Sequence, residues 1–273
     1  MAINITPVTN HRGRENGLII YPVYSRRSEG LSIGINLFPD KKSCAFGCPY
    51  CEIFPFSPNS GFSVSRMEDD LRGVITGALE KDGQIKDICF SGNGEPTLSP
   101  SFKEALKSTE TIRSRLAPLA RIVIITNGTG LLQPDVFSLL TESAADINTD
   151  IWLKLDAGTS EWYQKINRSL IPFNKLIEKI KTFASRAPFT IQTMLCAVNG
   201  ETAPPEDVSG WEALVCELAA NNVRKVQLYG KARAAPEDPL TSELPEKYLE
   251  DRAQSLRARF TGKGITTPVE IYI

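Results

Sequence analysis

Three cysteines stand close together in the first fifth of the chain. Cys44, Cys48 and Cys51 fall within eight residues, in the pattern C-x3-C-x2-C. A disulfide would use only two of them, so the spacing indicates metal binding. Structural zinc takes four ligands, usually as two separated pairs, and only Cys89 on the next predicted strand is available as a fourth. An iron–sulfur cubane held by three cysteines instead leaves one iron open to a substrate or cofactor, so both kinds of centre remain candidates.

The rest of the composition limits the available chemistry. The chain has 273 residues, six cysteines and a single histidine, His11, which excludes multi-histidine zinc sites and H-E-x-x-H proteases. Lysine and arginine number 31 against 32 acidic residues, and this net charge of −1 gives no general attraction for nucleic acid. No secretory signal or bilayer-length apolar run is recognisable. We therefore expect a reduced, cytoplasmic protein without a membrane partner.

Apolar strand-like segments alternate with amphipathic helix-like segments along the chain. Ser65-x-x-Glu68 and Ser101-x-x-Glu104 are predicted capping boxes, and Pro134 suits the first turn of a helix. Six strand–helix units fall two short of a closed eightfold barrel. The pattern predicts an α/β fold, a partial (β/α)6 TIM-type barrel of parallel strands in a single domain. The six strands are predicted at residues 31–38, 87–91, 121–126, 151–156, 189–196 and 225–229.

The predicted barrel also sets the domain organisation and the place of the site. Residues 1–30 are expected to form an N-terminal extension, 31–240 the barrel core, and 241–273 a C-terminal helix and strand that close the barrel. Ligands of parallel α/β folds bind at the carboxyl ends of the strands. The residues that directly follow each strand are therefore the candidates for a binding site.

Polar residues and glycines do follow several of these strands. Gly92 and Gly94 would let the backbone approach a ligand closely, although on their own they could simply form a turn that leads into the next helix. Asn127, before Gly128, also fits a turn. Lys154 and Asp156 share strand parity, so both are predicted to face the same side. Ligand contacts and a structural salt bridge are the two explanations for this charged pair.

The cysteine loop resembles the signature of the radical S-adenosylmethionine (SAM) enzymes. That signature follows the first strand and usually has an aromatic residue just before the third cysteine. Tyr50 occupies that place. The resemblance implies a [4Fe–4S] cluster on Cys44, Cys48 and Cys51, with SAM bound at the open iron. One electron, supplied by an external donor of the flavodoxin or ferredoxin type, would cleave SAM to a 5′-deoxyadenosyl radical that abstracts hydrogen from a substrate.

The same resemblance assigns roles at the other strand ends. Gly92-Asn93-Gly94-Glu95-Pro96 resembles the Gly-Gly-Glu-Pro element that receives the SAM ammonium, with Asn93 separating the glycines. It further implies Asn127 near the ribose, Lys154 at the SAM carboxylate and Asp156 at the ribose or substrate. The complete set of implied SAM-binding residues is Tyr50, Gly92, Asn93, Gly94, Glu95, Asn127, Lys154, Asp156, Gln192 and Tyr229.

Several further short segments are similar to segments of radical SAM proteins related to the tRNA wyosine-base synthases. They are Gly94–Leu98, Lys154–Ala157, Lys165–Arg168 and Val226–Tyr229. The archaeal synthases hold a second cluster on cysteines largely upstream of the signature, and no cysteine precedes Cys44 here.

We therefore predict a radical SAM enzyme whose substrate, a small molecule, a peptide or a tRNA, is unassigned. Wyosine-type tRNA modification is the alternative. A non-catalytic zinc- or iron–sulfur-binding module is the second alternative. Cys89, Cys196 and Cys216 are predicted to be buried packing residues, with Cys196 also placed to meet a substrate.

Overall fold

A computed structural model of the chain describes residues 18–55 and 61–273. His11 and the first 17 residues of the predicted N-terminal extension lie outside this part of the chain. The described residues form two compact units. The first comprises the described residues of Met1–Cys44, Ile53–Thr126 and Asp146–Asp150, and the second comprises Ala45–Glu52, Asn127–Ala145 and Ile151–Ile273.

The elements follow the predicted alternation. The strands are β1 (Ile20–Ser25), β2 (Gly30–Ile35), β3 (Ile85–Phe90), β4 (Arg121–Thr126), β5 (Thr149–Lys154), β6 (Phe189–Leu195), β7 (Ala197–Val198), β8 (Val223–Gly230), β9 (Thr241–Ser242) and β10 (Val269–Tyr272). The helices are α1 (Val64–Leu79), α2 (Phe102–Leu116), α3 (Pro134–Ala144), α4 (Ser160–Ile166), α5 (Phe173–Ala184), α6 (Pro205–Ala219) and α7 (Glu246–Gly262). Each of the six predicted strands is present, as β2, β3, β4, β5, β6 and β8.

The first unit contains the hydrogen-bonded series β1-β2-β3-β4. β2, β3 and β4 run parallel, as predicted, while β1 pairs antiparallel with β2, Ile20 lying opposite Ile35. β1 falls inside the segment predicted as an extension, where Pro22 argues against a strand. An edge strand tolerates a proline because one side of it makes no ladder hydrogen bonds.

The second unit contains the parallel series β5-β6-β8-β10. β7 and β9 form a separate antiparallel pair of two residues each. α7 and β10 fall in the segment 241–273, where a helix and a strand are predicted. None of the helices formed by the described residues is long and apolar enough to cross a membrane.

Of the three predicted helix starts, one is confirmed and two differ in how the helix is capped. Pro134 is the first residue of α3, as predicted. The capping box at Ser65 is wrong, since α1 begins at Val64, two residues before the start that a Ser65 cap predicts, and Ser63 caps it, accepting a hydrogen bond from the Arg66 backbone N–H at 3.3 Å. Ser101 does precede α2, but its side chain makes no capping bond. The sequence pattern therefore predicts that a helix is present, but it does not decide which of two nearby serines caps the first turn.

Candidate functional site

The cysteine loop follows β2 directly. All three of its cysteines are free thiols and half-buried. Cys44 belongs to the first unit, next to Ser43, while Cys48 and Cys51 belong to the second, where the Cys51 N–H donates to the Cys48 carbonyl at 3.1 Å. Within residues 18–55 and 61–273, no three His, Cys, Asp or Glu side chains are close enough to hold a single metal ion. A cubane does not require that, because each thiolate binds a different iron, and an all-thiol donor set fits it.

Asn167, the residue that directly follows α4, fixes the second half of this loop by hydrogen bonds. Its backbone carbonyl accepts from the Gly47 N–H at 2.9 Å, and its side-chain amide donates to Cys48 Sγ at 3.5 Å. The same amide nitrogen donates to Asp156 Oδ2 at 2.8 Å. One buried side chain thus fixes Cys48 relative to the end of β5, and hydrogen bonds to a ligating sulfur help to set the properties of an iron–sulfur centre.

Lys154 and Asp156 lie in one buried polar cluster of the second unit, as their shared parity predicts. Lys154 Nζ lies 3.6 Å from Asp156 Oδ2 and is held between two aromatic rings, 4.8 Å from the centre of Tyr50 and 5.0 Å from that of Tyr229. The Tyr50 hydroxyl donates to Asp156 Oδ2, and Lys154 donates to the Tyr229 hydroxyl. The salt-bridge explanation of the charged pair is therefore realised, in a cluster that also contains two more of the implied SAM-binding residues.

The surroundings of Lys154 and Tyr50 in this cluster keep both side chains protonated. Burial by itself would lower the pKa of Lys154, but Asp156 and then the Tyr229 phenol outweigh it, and the pKa is raised. Burial, followed by the charge of Asp156, raises the pKa of Tyr50 well above its usual value. Burial likewise raises the pKa of the Cys48 thiol. The cluster therefore contains a permanent ammonium and a neutral phenol at physiological pH.

Replacing Lys154 by Met is expected to destabilise the fold by about 3–5 kcal/mol, because it leaves a buried carboxylate without its cation. The Asp156 side chain has no exposed surface, against 16 % for Lys154. The double variant Lys154→Met, Asp156→Asn should recover part of this loss, because no unpaired charge remains. Urea unfolding of the two single variants and the double variant measures the coupling.

This cycle also separates the two explanations of the pair. If Lys154 holds the SAM carboxylate as well, the double variant should bind SAM more weakly even though its stability has partly returned. A Lys154→Met variant that unfolds at the wild-type urea concentration would show that the pair has no structural role.

The loop after β3, in the first unit, owes its glycines to close backbone packing. A Cβ on Gly92 would lie 2.4 Å from the Cα of Asn36, and one on Gly94 would lie 1.9 Å from the Ser43 carbonyl oxygen. Ser43 donates its N–H to the Asn93 carbonyl at 3.2 Å and accepts from the Glu95 N–H at 2.8 Å. Both positions therefore need glycine because they pack against the segment that leads into Cys44, and the predicted close approach to a ligand stays a prediction.

Glu95 is buried, with 2 % of its surface exposed, and ties two strand ends together. Its Oε1 accepts from the Thr97 N–H at 3.2 Å, the Thr97 hydroxyl at 2.6 Å and the Thr126 hydroxyl at 2.7 Å. Thr126 is the last residue of β4. A buried carboxylate held this rigidly at the carboxyl ends of two strands is suited to receive a cation.

Asn127 and Gln192, two further implied SAM-binding residues, have local roles in the second unit. Asn127 Oδ1 accepts from the Thr129 N–H at 3.0 Å and its hydroxyl at 2.7 Å, which is the turn that the sequence allowed. Gln192 is fully buried on β6, and its amide donates to Gln227 of β8 at 2.7 Å. Their implied contacts with SAM stay predictions.

The remaining cysteines are buried, as predicted. Cys89, Cys196 and Cys216 are 6 %, 4 % and 3 % exposed. Burial raises the pKa of Cys196 to about 12, so this thiol stays protonated. Each of the three therefore fits a small apolar packing residue.

The roles of two residues, Asn36 and Asn167, were not predicted from the sequence, although Asn167 lies in the Lys165–Arg168 segment noted above. Asn36, just after β2, accepts from the backbone N–H groups of Phe38 at 2.9 Å and Asn93 at 2.8 Å, and so joins two loops of the first unit. Asn167 joins the cysteine loop to Asp156 in the second unit. Both are amides that directly follow a strand or helix, and this position is the signal that could have found them.

Comparison with known proteins identifies the class to which this fold and site belong. A family model described as the radical SAM superfamily matches residues 41–207, more than half of the chain. The chain therefore belongs to the radical SAM superfamily, whose members use a [4Fe–4S] cluster and SAM. The predicted family and its cofactors are confirmed.

Individual relatives agree with this assignment. A Helicobacter pylori protein named "UPF0026 protein" is 32 % identical over 174 residues, 61 % of this chain and 51 % of that protein, so the chain spans about half the length of this relative. A radical SAM methyltransferase structure from Sphaerobacter thermophilus matches with a TM-score of 0.65 at 16 % identity, over 92 % of this chain and 68 % of that one. A structure of TYW1 with a lysine–pyruvate adduct bound matches with a TM-score of 0.54 at 16 % identity, over 83 % and 73 %. These structural likenesses show the fold, and the predicted partial barrel of parallel strands is confirmed.

Proposed function

We propose that this protein is a radical SAM enzyme that cleaves SAM reductively and uses the resulting 5′-deoxyadenosyl radical to abstract hydrogen from a substrate. The observation that carries the proposal is the loop of three free cysteines, which falls within the matched family region. When bound, the cluster would supply the electron that breaks the carbon–sulfur bond of SAM. A reduced carrier of the flavodoxin or ferredoxin type would have to supply that electron.

The chain's own residues would bind and orient SAM. Cys44, Cys48 and Cys51 would hold the cluster, and the Asn167 amide would steady Cys48. Glu95, as a rigid buried anion, would receive the SAM ammonium. Lys154 would attract the SAM carboxylate. Asp156 pairs with the Lys154 ammonium and accepts from the Tyr50 hydroxyl, and these contacts would hold the lysine side chain in place.

Anaerobic reconstitution followed by a SAM-cleavage assay tests the proposal. The loaded protein should be brown and should convert SAM to 5′-deoxyadenosine under reducing conditions. A colourless protein that contains zinc would support a structural metal module. A brown protein that leaves SAM intact would support a simple electron carrier, and either result would overturn the proposal.

Replacing Glu95 by Gln is expected to weaken SAM binding about tenfold or more while the cluster is kept. The charge-assisted bond to the SAM ammonium is worth about 1.5–3 kcal/mol, and 1.4 kcal/mol corresponds to a factor of ten. The Gln carbonyl can still accept the bonds from Thr97 and Thr126, so stability should change little. Equilibrium dialysis of SAM against the reconstituted variant measures the effect.

Glu95→Ala is the informative companion, because it removes the acceptor as well as the charge. It should lose stability in addition to affinity for SAM. If Glu95→Gln binds SAM as tightly as the wild type, the carboxylate has only the structural role.

The fold match to TYW1 does not extend to a tRNA substrate for this chain, since it shows the fold alone. No contact in the described residues favours tRNA modification over a small-molecule or peptide substrate. We therefore propose a single function.

A further inference from the structure

A cleft in the second unit lies at the carboxyl ends of β5 and β6 and is bordered by α4, α6 and α7. It is partly open to solvent. Asp156 forms part of its wall, so the cleft adjoins the cluster of Lys154 and Tyr50. The side chains that matter for its chemistry are Trp162, Met194, Cys196, Trp211, Tyr248 and Arg252.

Arg252 brings a positive charge into this largely apolar lining. Its guanidinium carbon lies 5.5 Å from the centre of the Tyr248 ring, one turn earlier on α7. Its Nε is buried and has no hydrogen-bond partner among the described residues. In the same part of the chain, no carboxylate forms an ion pair with Arg252. A buried N–H without an acceptor is costly, so an anionic ligand that accepts from this Nε would stabilise the half-buried Arg252 side chain.

The two carboxylates in the cleft wall are already engaged elsewhere. Asp207 Oδ1 accepts from the Gly158 N–H at 2.8 Å and from the Thr159 N–H and hydroxyl at 2.8 and 2.9 Å. Asp156 accepts from Tyr50, from Asn167 and from the Met194 N–H. Neither is paired with the guanidinium, so the cleft offers a cation to an incoming ligand.

The rest of the lining suits a flat apolar body. Trp162, Trp211 and Tyr248 contribute aromatic rings. The indole N–H of Trp211 donates to the Leu155 carbonyl at 3.0 Å, which fixes this ring and uses up its only donor. Rigid rings beside a planar guanidinium are a suitable combination for a small aromatic molecule that carries an anionic group.

We propose that this cleft binds the substrate, a small molecule with a flat apolar body and a carboxylate or phosphate that Arg252 holds. The assignment of the ligand as substrate rests on the proposed function, whereas binding itself does not. A ligand seated here would contact Cys196 and lie beside Asp156, which pairs with Lys154 and accepts from Tyr50. The guanidinium fork can donate two parallel hydrogen bonds to either anion, so the two anions must be distinguished by experiment.

Titration of the cluster-free protein with three probes tests the cleft directly. Benzoate, phenyl phosphate and neutral benzamide are added separately, and isothermal calorimetry measures their binding. At least one of the two anions should bind saturably and at least tenfold more tightly than benzamide. The tighter anion identifies the anionic group that the cleft prefers.

Arg252→Gln should weaken that anion at least tenfold and leave benzamide unchanged, with Arg252→Lys intermediate because it keeps the charge but not the fork. Arg186→Gln is the matched control, since Arg186 also stacks on an aromatic ring, at 5.6 Å from Phe137, and does not line the cleft. It should bind like the wild type. Circular dichroism checks that each variant is folded.

Absence of saturable anion binding to the wild type would overturn the inference, as would an Arg252→Gln variant that binds the anion like the wild type. Because the titration needs no cluster, its failure is distinct from a failure of SAM cleavage. A protein that cleaves SAM but binds neither anion would keep the proposed function and refute the cleft.

Discussion

Replacing Cys48 by Ala is expected to abolish both the brown colour of the reconstituted protein and its cleavage of SAM. Cys48 is one of only three cysteines in the loop, and a cubane that already leaves one iron open has no spare protein ligand. Cys44→Ala and Cys51→Ala should give the same result for the same reason. Iron content, the visible absorption spectrum and 5′-deoxyadenosine formation measure the effect.

The control for this prediction is Cys216→Ala. Cys216 is 3 % exposed on α6 and packs as a small apolar residue, so this variant should keep both colour and cleavage. Unfolding of the cluster-free Cys48→Ala protein should resemble that of the wild type, because Cys48 is only half-buried. A Cys48→Ala protein with wild-type iron content and turnover would refute the ligand assignment.

The second large effect is expected at Gly158, where alanine should destabilise the protein by about 3 kcal/mol or more. A Cβ at this position would lie 1.9 Å from the Trp211 backbone nitrogen and 2.3 Å from the Asp207 carbonyl oxygen. Both are main-chain atoms of α6, which cannot move aside like a flexible side chain. The shift would also stretch the bonds that Asp207 makes to the Gly158 and Thr159 N–H groups. Urea unfolding followed by circular dichroism measures the loss.

Gly73→Ala is the matched control, with the opposite expected sign. Gly73 lies within α1, and a Cβ there would meet nothing within 4 Å. Alanine in a helix interior is favoured over glycine by about 0.5–1 kcal/mol, so this variant should be slightly more stable than the wild type. Equal unfolding midpoints for Gly158→Ala and the wild type would show that α6 can yield at this contact.

Function should respond to Gly158→Ala as well, because Gly158 follows Asp156 by two residues. Displacing this loop moves the carboxylate that receives the Tyr50 hydroxyl and pairs with Lys154. We expect SAM binding to fall together with stability.

The fold was largely predictable because its signals are local. The residue pattern of an apolar strand or of an amphipathic helix is recognisable within about ten residues. Six strand–helix pairs in succession indicate the parallel α/β class. The misses are local ambiguities too. β1 contains Pro22, and Ser63 and Ser65 compete for one helix cap. Neither pattern can be resolved without knowing what packs against the segment.

The candidate site was predictable only in part. The spacing of Cys44, Cys48 and Cys51 lies within one loop, and the shared parity of Lys154 and Asp156 within one strand segment, so both could be read directly. The partners of these residues could not. Tyr50 and Asp156 are 106 residues apart, Cys48 and Asn167 are 119 apart, and Lys154 and Tyr229 are 75 apart.

The sequence by itself determined the thiol chemistry of this protein, its strand–helix order and the glycines of the loop after β3, because each depends on neighbours in the chain. Only the tertiary structure decided that Lys154 is held between two phenols, that Glu95 ties together the ends of two strands and that Arg252 stands in a cleft where no carboxylate of residues 18–55 and 61–273 pairs with it. Burial and pairing are properties of contacts between distant segments, and charge has its full effect only where water is excluded.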